Sequence, residues 1–330
     1  MSTTTVISET NFEVEGNVYF LTRDPKYEET KPYTLRYTPE DGFPQTNVER
    51  TLYNLRFHNM RLEKNLQYEK CGFKMANLES QMTYEDYNDN EKIEAIHQEE
   101  VEDCVKETLN ASSAEVLDYV VRRRHQSWPI ATGDTYTFQQ PASAAHIDHT
   151  YDAGCKIIRD TYPAQAEKLL QGHWQCVNVW HPLQGPLLDW PLAMCDAETV
   201  DFEHDTMSGD VVDRDAVFEN TQVHYNPAQK WYYLPNQLPS ELLIFKNADS
   251  ESISGASPGV PHASFDNPMR KDSDPRRESI ELRVLVRCHE YSSDLKKMSL
   301  IETRDSNAIV PNTPNPSKPP DLKSLPDSKL

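Results

Sequence analysis

Basic residues are in short supply: 33 Lys and Arg stand against 53 Asp and Glu, a formal net charge of −20. Phosphate backbones are bound by clustered cations, so this balance excludes a nucleic-acid partner and equally disfavours an anionic membrane surface. Long apolar runs are missing too. None approaches the length of a membrane-spanning helix, and the opening MSTTTVISETNFEVEG does not read as a signal peptide. The six cysteines, at 71, 104, 155, 176, 195 and 288, show no CxxC spacing. They fit free thiols in a reducing compartment, not a disulfide framework. Three catalytic signatures are also absent: a GxSxG or paired Cys/His nucleophile, a Gly-rich phosphate loop, and HExxH.

What is present is a series of short alternating segments punctuated by Pro, Asn and Asp. Hydrophobic content is only 37%, but 5 Trp, 16 Tyr and 10 Phe can supply a core. Strands are predicted at 115–121, 174–180, 189–194, 221–225, 230–234, 241–246, 262–265 and 279–288. Residues 51–75 read as a strand pair turning near Cys71-Gly72. Residues 88–109 read as a solvated acidic helix and 153–171 as a helix outside the sheet. The pattern predicts a mainly β fold with added helices: a double-stranded β-helix, the jelly-roll or cupin architecture. An extended arm is expected over 1–45, the β-helix domain over 46–302, and a disordered Pro-rich tail over 303–330.

Chemistry concentrates at two places. His146-Ile147-Asp148 puts an imidazole and a carboxylate on one face of a strand. His262 follows more than a hundred residues later, then Arg277-Glu278-Ser279 opens a strand whose other face carries Ile280, Leu282, Val284 and Val286. Two His and one carboxylate match the facial triad of non-haem Fe(II) sites, which leaves positions open on the metal. Arg277 beside Ser279 makes a carboxylate clamp, with Arg283 as the fallback on the same face. Either motif alone is weak. His97-Gln98-Glu99 also matches HxE but falls on the acidic helix, and Arg304-Asp305-Ser306 matches R-x-S in the tail. His149 is a rival ligand, expected to face away. His173, His181 and His224 have no carboxylate at suitable spacing and are read as packing or surface residues. Arg122-Arg123-Arg124 is open between a solvated strand end and a ligand contact. Asn178 is expected to face the metal, with Trp180 on the opposite side, and the aromatics at 174–190 and 231–233 are candidate pocket walls.

The stretches HNMRLEKNLQYEKCGF, NVWHPLQGPLLDWPLAMCD, NPAQKWYYLPNQLPSELLIFKNADS, PHASFDNP and RRESIELRVLV together resemble the fungal hydroxylase/desaturase family. The resemblance runs from about 48 to 290. It implies an oxygenase of secondary metabolism that uses Fe(II), 2-oxoglutarate and O2; the organic substrate is expected to be a small to medium-sized, apolar natural product. It makes His146, Asp148 and His262 the iron ligands and Arg277 and Ser279 the co-substrate clamp. His181 departs from the Arg commonly found at that position. Two other readings stay open: a partner subunit in a homo- or heterodimeric oxygenase, and a cupin-like metal protein that does not use 2-oxoglutarate. The final Ser328-Lys329-Leu330 matches a peroxisomal import signal read by a receptor, which predicts a peroxisomal location over a cytoplasmic one.

Overall fold

The computed structural model describes residues 13–40, 42–129, 136–252 and 258–288. All of them fall within one compact unit spanning 1–289. The described strands, in chain order, are β1 (Val14–Leu21), β2 (Tyr33–Leu35), β3 (Arg50–Asn59), β4 (Phe73–Asn77), β5 (Ala111–Arg123), β6 (His146–Ile147) and β7 (Trp174–Pro182). They continue with β8 (Leu192–Cys195), β9 (Thr206–Val212), β10 (Val217–Val223), β11 (Trp231–Tyr233), β12 (Glu241–Asp249), β13 (His262–Ser264) and β14 (Glu278–Cys288). They form two sheets. The larger runs β1-β3-β11-β8-β13-β6-β10-β9-β2 and the smaller β4-β12-β7-β14-β5. Apart from the hairpin β9-β10, neighbours are far apart in sequence, as a jelly roll requires, and the fold is the double-stranded β-helix.

The two faces of β14 explain how the smaller sheet is built. Ile280, Leu282, Val284 and Val286 are fully buried with Val177 and Val179 of β7 and with Val101 and Val105 of the helix Gln98–Thr108. That apolar face points out of the β-helix, under the acidic helix. The alternate residues Arg277, Ser279, Glu281 and Arg283 point inward. The period-2 pleat thus puts the polar row inside and the greasy row against the added helix.

Several expectations shift. The supposed N-terminal arm contains β1, paired with β3 along its whole length, with Val18 and Phe20 fully buried. Gly16 interrupts its apolar alternation because a Cβ there would meet the Phe265 ring at 2.7 Å. Residues 51–75 are not a hairpin: β3 and β4 lie in different sheets, and the turn at Cys71-Gly72 ends a short helix, with Gly72 at φ 85°. The stretch 189–194 adds β8 to the larger sheet, not to the sheet of β7. The helix expected over 153–171 is two, Tyr151–Thr161 and Ala166–Gln171, separated at Pro163. All six cysteines are free. No helix among the described residues is long and apolar enough to cross a membrane. The tail, with Arg304, Ser306 and Ser328-Lys329-Leu330, lies outside the described residues.

Candidate metal centre and carboxylate clamp

β6 and β13 are neighbours in the larger sheet, and His262 sits directly opposite His146. Asp148 follows β6 at once. His146 Nε2 lies 3.2 Å and His262 Nε2 3.9 Å from Asp148 Oδ1, and one ligand atom from each residue lies within 4.8 Å of the others. Each imidazole is fixed from behind. His146 Nδ1 donates to the Ala144 carbonyl at 2.7 Å and His262 Nδ1 to the Val260 carbonyl at 3.0 Å. Both rings therefore carry a proton on Nδ1 and turn Nε2 toward the carboxylate, the orientation that metal ligation needs; burial opposes charge on His146, but Asp148 outweighs it and raises that imidazole, whose Nε2 proton a metal would displace. Burial, reinforced by His146, pulls His262 down to about 4 and keeps it neutral. Burial opposes the Asp148 charge, yet the two imidazoles outweigh it and hold the carboxyl well below its usual range.

The smaller sheet supports this cluster from across the interior. Asn178 Nδ2 on β7 donates to Asp148 Oδ2 at 2.5 Å, and Asn247 Nδ2 on β12 donates to Asn178 Oδ1 at 2.7 Å. Asn178 faces inward as expected, but its amide is committed to orienting Asp148. Trp180 does not face the opposite side: two residues on along an unbulged strand it shares the face of Asn178, and its ring lies 4.9 Å from the Arg277 guanidinium carbon.

Arg277 is buried and braced by four contacts. Its Nη1 donates to the Trp190 carbonyl at 2.9 Å and to Ser264 Oγ, its Nε reaches Ser279 Oγ at 3.2 Å, and its backbone N–H donates to Asp189 Oδ2 at 2.7 Å. Nη2 makes none of these bonds. Burial, with the charge of Arg122 nearby, lowers Arg277 to about 9. The fallback Arg283 is already engaged: it grips Asp118 through two nitrogens, at 2.9 and 2.5 Å, and donates to His149 Nε2 at 2.7 Å. That bond removes His149 as a rival ligand. A cavity of about 460 Å³ opens beside the cluster, lined by His146, Asp148, Asn178, Arg122, Tyr119 and Phe218 among others. The tryptophans expected as walls, including Trp174 and Trp231, are core residues instead.

His97 and His181 also differ from expectation. His97 is fully buried, not solvated, because the turn Ile93–His97 is a π-helix that swings it under the sheet. Its Nε2 meets His181 Nε2 at 3.1 Å on the outward face of β7. His181 thus points away from the cavity, and the exchange of Arg for His there does not touch the clamp. His173 does have a carboxylate partner, Asp249 at 3.0 Å, which overcomes burial and pushes the imidazole up to about 10.

A family model described as an oxidoreductase/YMDC permease-like domain matches residues 18–287. The Fe(II)/2-oxoglutarate-dependent dioxygenase nvfI of Aspergillus novofumigatus is 31% identical over 286 residues, covering 82% of this chain and 96% of that protein. The chain belongs to the fungal hydroxylase/desaturase family of Fe(II)/2-oxoglutarate-dependent oxygenases. Another relative in this family, the hydroxylase/desaturase efuI of Hormonema carpetanum, is 30% identical and covers 60% of this chain and 72% of its own length. A solved structure of the iron and alpha-ketoglutarate-dependent endoperoxidase NvfI superposes with a TM-score of 0.73 at 27% identity, covering 84% of this chain and 99% of that one.

Proposed function

We propose that His146, Asp148 and His262 hold a single Fe(II), and that Arg277 with Ser279 binds the far carboxylate of 2-oxoglutarate, in an oxygenase that hydroxylates or desaturates a small natural product. The observation that carries this reading is the convergence of two Nδ1-tethered imidazoles and one carboxylate within 4.8 Å, beside a cavity. The donor set fits the metal: two neutral nitrogens and one carboxylate oxygen on one side leave the rest of the coordination sphere to co-substrate and dioxygen. Bound iron supplies the dioxygen chemistry.

The chain supplies the rest. Asn178 fixes the Asp148 carboxylate, the Ala144 and Val260 carbonyls fix the imidazole tautomers, and Arg277 presents an unspent nitrogen to an anion. The cavity wall is mainly charged and amide side chains, with Tyr119 and Phe218 as its aromatic contacts, so the organic substrate carries polar groups as well as an apolar body. Iron content measured together with 2-oxoglutarate-dependent succinate release tests the assignment. A partner subunit without activity of its own would release succinate only after a second chain is added; a metal protein of another kind would be indifferent to the acid. A peroxisomal address rests on Ser328-Lys329-Leu330 alone, where those residues end the protein. A tagged chain without Leu330 that still enters peroxisomes would exclude it.

A further inference from the structure

Three consecutive arginines, Arg122 and Arg123 at the end of β5 and Arg124 just past it, are not equivalent. Arg123 sits 3.3 Å from Glu278 and lies over the Phe138 ring; Arg124 pairs with Asp189 at 2.5 Å. Arg122 forms no ion pair within 4.0 Å among the described residues, in a chain with twenty more acidic than basic charges. It lines the cavity together with His146, Asp148 and Asn178. Its partner across the strands is Ser279, so it shares the inward face of the clamp.

The position is built, not incidental. Arg122 Nη1 donates to the Gln140 carbonyl at 3.1 Å. Gln140 is in turn locked, its Nε2 donating to the Arg123 carbonyl at 3.0 Å and its Oε1 accepting from His125 N at 2.7 Å. Glu281 shares the cavity wall with Arg122 but stays beyond ion-pair distance of it. Along the inward row of β14 the order is Arg277, then Ser279 opposite Arg122, then Glu281 opposite Trp180, then Arg283 opposite Asn178, whose amide holds Asp148. Arg122 therefore reaches into the interior between the Arg277 anchor and the converging ligand atoms. Two guanidinium groups facing one interior, with Glu281 the acidic side chain on the same row of β14, suit an anion that carries a charge at each end.

We propose that Arg122 is the second cationic contact for the dicarboxylate co-substrate, holding the carboxylate nearer the metal position while Arg277 holds the far one. This rests on the 2-oxoglutarate reading above. Equilibrium dialysis under anaerobic conditions, with the Fe(II)-loaded full chain, separates the two contacts by using two acids. 2-Oxoglutarate carries both carboxylates; 2-oxovalerate has the same length and lacks the far one. Arg122→Gln should weaken both acids by about tenfold or more, the size of one charged hydrogen bond, whereas Arg277→Gln should weaken 2-oxoglutarate alone. Unchanged binding of both acids by folded Arg122→Gln overturns the proposal, and so does a loss confined to 2-oxoglutarate, which would put both arginines on the far carboxylate. Arg122→Lys keeps the charge without the planar fork and should lose less on both acids. If only that variant folds, the same two patterns decide. Failure of the parent protein to bind 2-oxoglutarate would instead overturn the functional reading, and this proposal with it.

Discussion

Two histidine pairs flank β7, and they are wired in opposite ways. In the pair His146/His262, each Nδ1 is spent on a backbone carbonyl, and both Nε2 atoms face a carboxylate beside a cavity. In the pair His97/His181, the two Nε2 atoms face each other. His181 Nδ1 donates to the Pro182 carbonyl, so its Nε2 accepts and His97 Nε2 must donate, leaving His97 Nδ1 buried without a hydrogen bond. The first pair aims two nitrogens at a common point. The second consumes its own. Burial alone does not make a ligand; the direction of the uncommitted lone pair does.

Breaking the first pair's focus should have the largest effect. Asp148→Ala removes the only carboxylate at the convergence point and should abolish both bound iron and succinate release; an iron-replete, active variant would refute the assignment. Next in size is the clamp. Arg277→Ala removes one partner of a buried charged contact, a loss of roughly 2–5 kcal/mol, so half-saturation by 2-oxoglutarate should rise steeply while iron content stays the same. Asn178→Ala acts one step further out, through the orientation of Asp148. Metal affinity should fall by roughly 10- to 100-fold, read by competition with a chelator.

The second pair should show itself in stability. Burial lowers His97 to about 4 and His181 to about 3, with His97 the next cause for His181. Both folded values lie below the ordinary 6.5, so stability is fully present above that pH. It drains as pH falls toward 4, because the unfolded chain takes up protons the folded one refuses, at up to about 1.4 kcal/mol per pH unit per histidine. The melting temperature of the double variant His97→Gln, His181→Gln should depend less steeply on pH than that of the parent across this window. Equal slopes would mean that other groups dominate.

Much of the site could be read from sequence because it follows the strand period. Arg277, Ser279 and the opposing Ile280–Val286 row needed only the alternation of β14, and HxD needed only one step of two. What escaped were features that depend on tertiary approach. Ile93, His97, Val101 and Val105 are each four apart and all fully buried, yet four-residue steps on an α-helix drift by about 40° each. The π-turn takes up that drift, and an acid-rich sequence gives no sign of it. β1 was hidden by Gly16, whose lack of a side chain answers to Phe265, a residue far along the chain. The commitments of Arg283 and His149 to each other, and of Asn178 to Asp148, likewise belong to contacts between sheets that no local spacing encodes.

The brevity of the strands that carry the two imidazoles has its own consequence. β6 has two residues and β13 three, and they pair with each other at the single position His146↔His262. So short a ladder adds little cohesion of its own, and an ion gripped from both strands would close the whole chain segment between them into a loop. Metal supply would then govern endurance as well as turnover. In an iron-starved cell this seam would open to proteases more readily than in an iron-replete one, and the amount of enzyme would follow the iron available to fill it.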